Sequence, residues 1–164
     1  MSERGRDATC PGKLADRPAL AVGVDLVAVD EVQDALSRFG DRYLRRIFTE
    51  HEVACSTGAG RERARHLAAR FAAKEATIKA LGPCDWLPAW QSIEVRREES
   101  GRCTLLLSGH AAELATRARL SDFAVSLSHE GNFAAAVVFA VGRTGVTPAA
   151  ECESDRGRGR GSGR

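Results

Sequence analysis

No apolar run in this 164-residue chain approaches the roughly 18 residues that a membrane-spanning helix needs, so no segment reads as a span. Residues 1–18 are polar and charged, without the apolar centre of a secretory leader, and a flexible N-terminal extension is expected there. Cysteine is sparse and scattered. Cys10, Cys55, Cys84, Cys103 and Cys152 form an odd set with no metal-ligand spacing, which points to reduced thiols in a cytoplasm. The net charge of +2 is too small to argue for nucleic acid, and no repeat of solenoid period is visible. Lysine is scarcest among the charged residues. Only Lys13, Lys74 and Lys79 occur, arginine serving elsewhere, and two of these three flank a single glutamate, Glu75.

The remaining pattern is that of one α+β domain over residues 19–141, with antiparallel strands on one side of the helices. Residues 20–29 are nearly continuously apolar, interrupted by Gly23 and Asp25, and read as a buried strand. Asp30 is placed to cap a helix over residues 31–39, with Val32, Leu36 and Phe39 facing inward. A short helix over 41–48 carries Arg42, Arg45 and Arg46, and Thr49 with Glu52 forms a capping box for the next one. After a loop at 56–60, a long helix is expected over 61–81. A loop at 83–91 holds both tryptophans, Trp86 and Trp90. Strands at 92–97 and 103–107, a helix at 111–119 and an antiparallel hairpin of 124–128 with 134–141 complete the domain. From Gly142 to Arg164 the chain is a Gly/Arg-rich tail without hydrophobic periodicity, and disorder is the expectation.

The chemistry concentrates in residues 70–82, R-F-A-A-K-E-A-T-I-K-A-L-G. At helical spacing Leu67, Phe71, Ile78 and Leu81 form one apolar stripe, with Lys74 inside it. Glu75 and Lys79, four apart, stack at its edge, and Gly82 stops the helix. The pair alone fits an ordinary surface i,i+4 contact as well as a site. Asp25, inside an apolar run, must be capped, paired or metal-bound. Ser126, Ser128 and His129 fit either a plain hairpin turn or a ligand contact. His51, His66 and His110 are isolated, and no further Ser/His/acid set is suggested.

Taken in order, G-V-D-L-V (23–27), F-T-E-H-E (48–52), A-A-R-F-A-A-K-E-A-x-x-K-A-L-G (68–82) and V-S-L-S-H (125–129) resemble the bacterial holo-acyl carrier protein synthases, the small 4′-phosphopantetheinyl transferase family, over residues 20–140. The resemblance implies transfer of 4′-phosphopantetheine from coenzyme A to a serine of an apo acyl carrier protein, with release of 3′,5′-ADP. It implies Mg²⁺ held by Asp25 and Glu75, a catalytic role for Glu75 and Lys79, and cofactor contacts from Arg70, Lys74, Lys79, Ser128 and His129. Two carboxylates suffice for a cation that keeps several waters and takes further oxygens from a substrate phosphate. The base that deprotonates the serine is open between Glu75 and a bound water. A homotrimer with sites between subunits is implied as well, with neither nucleic acid nor membrane as partner.

Two segments depart from the family pattern. Residues 30–34 are acidic (Asp30, Glu31, Asp34) where many members carry a basic residue that meets the carrier, so the carrier is left open between fatty-acid and polyketide or peptide pathways. Arg38, Arg42, Arg45 and Arg46 remain as a basic docking face. The stretch after Gly82 is stiff and aromatic rather than Gly-rich. The competing readings are a repurposed member that binds carrier or coenzyme A without transfer, and an RNA-associated protein suggested by the R-G repeats of 156–164.

Overall fold

A computed structural model describes residues 19–82 and 87–142. Both terminal segments, the residues around Trp86, and Cys10, Cys84 and Cys152 lie outside the described residues.

The chain runs β1 (Leu20–Ala28), α1 (Val29–Phe39), α2 (Asp41–Ile47), α3 (Glu50–Cys55), α4 (Arg61–Leu81), a 3₁₀ turn (Trp90–Ser92), β2 (Ile93–Arg97), β3 (Cys103–Leu107), α5 (Gly109–Arg117), β4 (Asp122–Glu130) and β5 (Phe133–Val141). It is an α+β fold, as expected. The strands form an antiparallel sheet of order β1-β5-β4 and a separate hairpin, β2-β3.

The long helix α4 lies across the three-stranded sheet. Its bounds match the expectation, and it ends at Gly82, whose φ of 89° favours glycine. The single apolar stripe understates its burial. Ala64, Leu67, Ala68, Ala69, Ala72, Ala73, Ala76, Ile78, Ala80 and Leu81 are all buried, so the helix is enclosed on most sides. Alanine lets the helix backbone approach the sheet closely, and Gly23 on β1 completes that approach. A Cβ at position 23 would lie 1.8 Å from the Ala76 carbonyl oxygen.

Other expectations need correction. β1 is an edge strand buried on one face only, not a buried strand. Gly23 and Val27 face α4, while Leu20, Val22, Val24 and Leu26 point outward and are 55–72% exposed. The apolar run misled because both faces are apolar although only one meets this chain's own helix. Asp30 does not cap α1. Ala28 occupies that position without a side-chain cap, and Asp30 pairs instead with Arg61 at the start of α4. Phe39 is exposed rather than inward-facing, because α1 ends there and the chain turns at Gly40. The capping box of Thr49 and Glu52 is present as expected. The last helix begins at Gly109, two residues early, and the β4-β5 hairpin extends over 122–141.

Gly23→Ala is expected to destabilise the fold by about 1–3 kcal/mol, because the helix must lift off β1 to admit a methyl group. A denaturant melt checks this, and an unchanged midpoint would refute the close approach.

Candidate active site

Strand alternation decides what β1 presents to α4. Asp25 shares parity with Gly23 and Val27, so its side chain points to the helix side of the sheet. Its neighbours across the sheet are Ala136 on β5 and, beyond it, Leu127 on β4. On α4, Glu75 and Lys79 lie one turn apart over that position. The Lys79 ammonium donates to Asp25 Oδ1 at 2.8 Å and to the Val24 carbonyl at 3.0 Å. The Asp25 side chain is only 15% exposed and that of Lys79 is 53% exposed, so an inner carboxylate carries a solvent-facing cation.

Electrostatics ties the three together. Burial raises the pKa of the Glu75 carboxyl above its ordinary 4.5, the Asp25 charge raises it further, and Lys79 partly offsets both. The hydrogen bond to Asp25 holds the Lys79 ammonium above its ordinary 10.5 despite some desolvation. Asp25 and Glu75 are two hard oxygen donors, the kind of pair that could hold a divalent cation.

The sequence matches a profile described as the 4'-phosphopantetheinyl transferase superfamily over residues 21–138. The chain belongs to this family. It is 41% identical to the holo-acyl-carrier-protein synthase of Herpetosiphon aurantiacus, covering 75% of this chain and 99% of the relative. It is 44% identical to that of Chloroflexus aurantiacus, covering 72% and 95%. Among solved structures it is similar to a Chronobacterium ammoniagenes ACPS–CoA complex, with a TM-score of 0.65 and 34% identity over 74% of this chain and 96% of that one. A Bacillus anthracis holo-(acyl-carrier-protein) synthase solved with CoA (3',5'-ADP) matches with a TM-score of 0.61 and 28% identity, covering 75% and 96%. The chain is thus an enzyme of the holo-acyl-carrier-protein synthase type.

Not every residue expected at the site of this synthase is there. Lys74 is the clear correction. It is fully buried on another side of α4, and its ammonium pairs with Glu52 Oε2 at 2.8 Å and donates to the carbonyls of Trp90 (2.9 Å) and Ile93. An ammonium has three N–H donors and all three are committed, so none remains for a phosphate. Arg70, four residues earlier, is also buried. Its Nη1 donates to the His66 carbonyl at 3.0 Å, and its Nε has no hydrogen-bond partner among the described residues.

Strand parity separates the last two candidates. Ser128 lies opposite Ala135, which lies opposite Leu26, so Ser128 shares the outward face and is turned away from Asp25. His129 is on the helix side, aligned with Ala134 and Val27 at the end of the sheet. Two strand spacings, roughly 10 Å, separate it from β1. Within one subunit, then, only Asp25, Glu75 and Lys79 come together. A groove of about 770 Å³ beside α2 and α3, lined by Leu44, Phe48, Val53 and Gln91 among others, contains none of them.

Glu52 is the residue that sequence reasoning undervalued. It reads as half of a capping box, which it is, yet it is completely buried and also serves as the counter-ion of Lys74. The signal was available: a lysine inside an apolar stripe requires a buried acid, and F-T-E-H-E supplies one.

Two outcomes are expected. Lys74→Met leaves Glu52 charged and unpaired in the core and is expected to cost about 3–5 kcal/mol in a urea melt. Glu75→Gln should raise the melting temperature of the metal-free protein at pH 7. A carboxyl whose folded pKa is raised binds more protons when folded, so its contribution is lost as pH rises from 4.5 through the raised value. Melts at pH 4 and pH 7 check the sign: the gain should shrink at the lower pH.

Proposed function

We propose that this enzyme transfers the 4′-phosphopantetheine arm of coenzyme A to a serine of an apo acyl carrier protein, releasing 3′,5′-ADP, with Mg²⁺ held by Asp25 and Glu75. The observation that carries this reading is the convergence of Asp25, Glu75 and Lys79, with Lys79 bound to Asp25 at 2.8 Å. It is supported by the relatives' names and by the CoA-containing neighbour structures.

In this reaction the serine hydroxyl gives its proton to Glu75 or a bound water, its oxygen forms a bond to the β-phosphorus of coenzyme A, and the bond from that phosphorus to the 3′,5′-ADP oxygen breaks. Phosphoryl chemistry leaves the protein mainly alignment and charge neutralisation. Mg²⁺ bound by the carboxylates would supply Lewis acidity to the pyrophosphate oxygens. Lys79, exposed and one turn from Glu75, turns its ammonium from Asp25 to a phosphate oxygen. Asp25, packed under α4, holds its carboxylate in place while Lys79 moves.

The site is completed in a homotrimer. The outward face of the sheet exposes Leu20, Val22, Val24, Leu26, Phe133, Phe139 and Val141, an apolar surface that a second copy would cover. Ser128 and His129, remote from Asp25 in their own subunit, serve as cofactor contacts for a neighbouring one, and Arg70 is the further candidate for a phosphate. The exposed Arg38, Arg42, Arg45 and Arg46 provide a basic face for an acidic carrier. The free thiols of Cys55 and Cys103 agree with a cytoplasmic enzyme. No described helix is long and apolar enough to cross a membrane.

Intact-mass spectrometry of apo fatty-acid, polyketide and peptidyl carriers, after incubation with the protein, coenzyme A and Mg²⁺, tests the reading. One carrier class should gain one phosphopantetheine, and Glu75→Gln or Asp25→Asn should slow the gain by about 10²-fold or more. Coenzyme A binding without modification of any carrier would instead support a member that binds but does not transfer.

A further inference from the structure

The buried Glu52–Lys74 pair has no part in the chemistry proposed above, yet its lysine is the residue next to Glu75. Glu52 Oε1 accepts from the Val95 amide at 2.9 Å and Oε2 from the Thr49 amide at 2.9 Å, in addition to Lys74. Lys74 in turn reaches the carbonyls of Trp90 and Ile93, and its ammonium lies 5.9 Å from the centroid of the Phe48 ring. One ion pair thereby joins α3, α4, the 3₁₀ turn and β2, with the lysine's three N–H groups all satisfied.

Such a pair is a poor device for stability alone, since an apolar pair of similar volume often does as well. What it supplies is uniqueness. α4 is buried through Ala64, Ala68, Ala69, Ala72, Ala73, Ala76 and Ala80, spread around the helix, and through the larger Leu67, Ile78 and Leu81. Methyl groups on several sides pack nearly alike, so the alanine contacts set the helix-to-sheet distance and leave the fine rotation about the helix axis to the larger and polar side chains. The Gly23–Ala76 approach sets that distance. Only one rotation lets Lys74 meet Glu52, Trp90 and Ile93 together. With consecutive residues about 100° apart, that rotation aims Glu75 and Lys79 at Asp25.

We infer that Glu52 and Lys74 are positioning residues for the reaction: their buried pair sets the rotation of α4 and so the geometry of the Asp25, Glu75 and Lys79 constellation. This rests on the functional reading above. In other sites, partners behind the metal ligands influence affinity by about 10–100-fold.

The test replaces the pair by apolar residues, Glu52→Leu with Lys74→Met, in the full chain, with Glu52→Asp in parallel. Mn²⁺ binding is followed by electron paramagnetic resonance, the reaction by carrier mass, and folding by thermal melt. The expected result is a cooperative melt for the double variant with Mn²⁺ affinity and kcat each about tenfold lower and KM for coenzyme A little changed. Glu52→Asp keeps both charges but shortens the reach by one methylene, and it should weaken Mn²⁺ in the same direction. It decides the matter if the double variant does not fold. A folded variant with wild-type Mn²⁺ affinity and kcat overturns the positioning role alone. A wild-type protein with no Mn²⁺ signal sensitive to Asp25→Asn overturns the site, and the positioning role with it.

Discussion

The close approach of α4 to β1 is the constraint on which the rest depends. It is possible because the strand offers Gly23 where the helix offers the backbone at Ala76. An alanine-rich helix face then lies on Ala134, Ala136 and Val138 of β5, all fully or almost fully buried. Larger residues at these places would move the helix outward and carry Glu75 and Lys79 away from Asp25. The small residues, which carry no chemistry, therefore set the distance over which the chemistry works.

Two lysines five residues apart on that helix stand in opposite surroundings. Lys79 stands half in solvent and, among the described residues, is held by Asp25 and the Val24 carbonyl, so part of its ammonium stays open. Lys74 is enclosed by three acceptors. Burial depresses its pKa and the facing Glu52 carboxylate opposes that effect. A lysine in an apolar stripe is thus a core residue when a buried acid faces it, whereas one at the stripe's edge keeps its ammonium in contact with solvent.

The exposed face of the three-stranded sheet belongs to the same logic. Leu20, Val22, Val24 and Leu26 alternate with Gly23, Asp25 and Val27 along one strand. One parity builds the carboxylate site beneath α4. The other builds an apolar surface that no part of the described subunit covers. Ser128 lies on that outward side and His129 on the helix side at the end of the sheet, two strands from β1, which is why a single subunit leaves both apart from Asp25.

The sequence by itself determined the α+β order of elements, the bounds of α4 with its stop at Gly82, the capping box of Thr49 and Glu52, and the family, because these rest on local patterns and on a long motif. Spacing also determined that Glu75 and Lys79 share a helix edge. Only the tertiary structure decided that β1 is an edge strand, that Asp30 pairs with Arg61 instead of capping, and that Lys74 turns into the core. Each of these depends on which element stands opposite. Periodicity names the faces of a helix or strand, but it does not name what those faces meet.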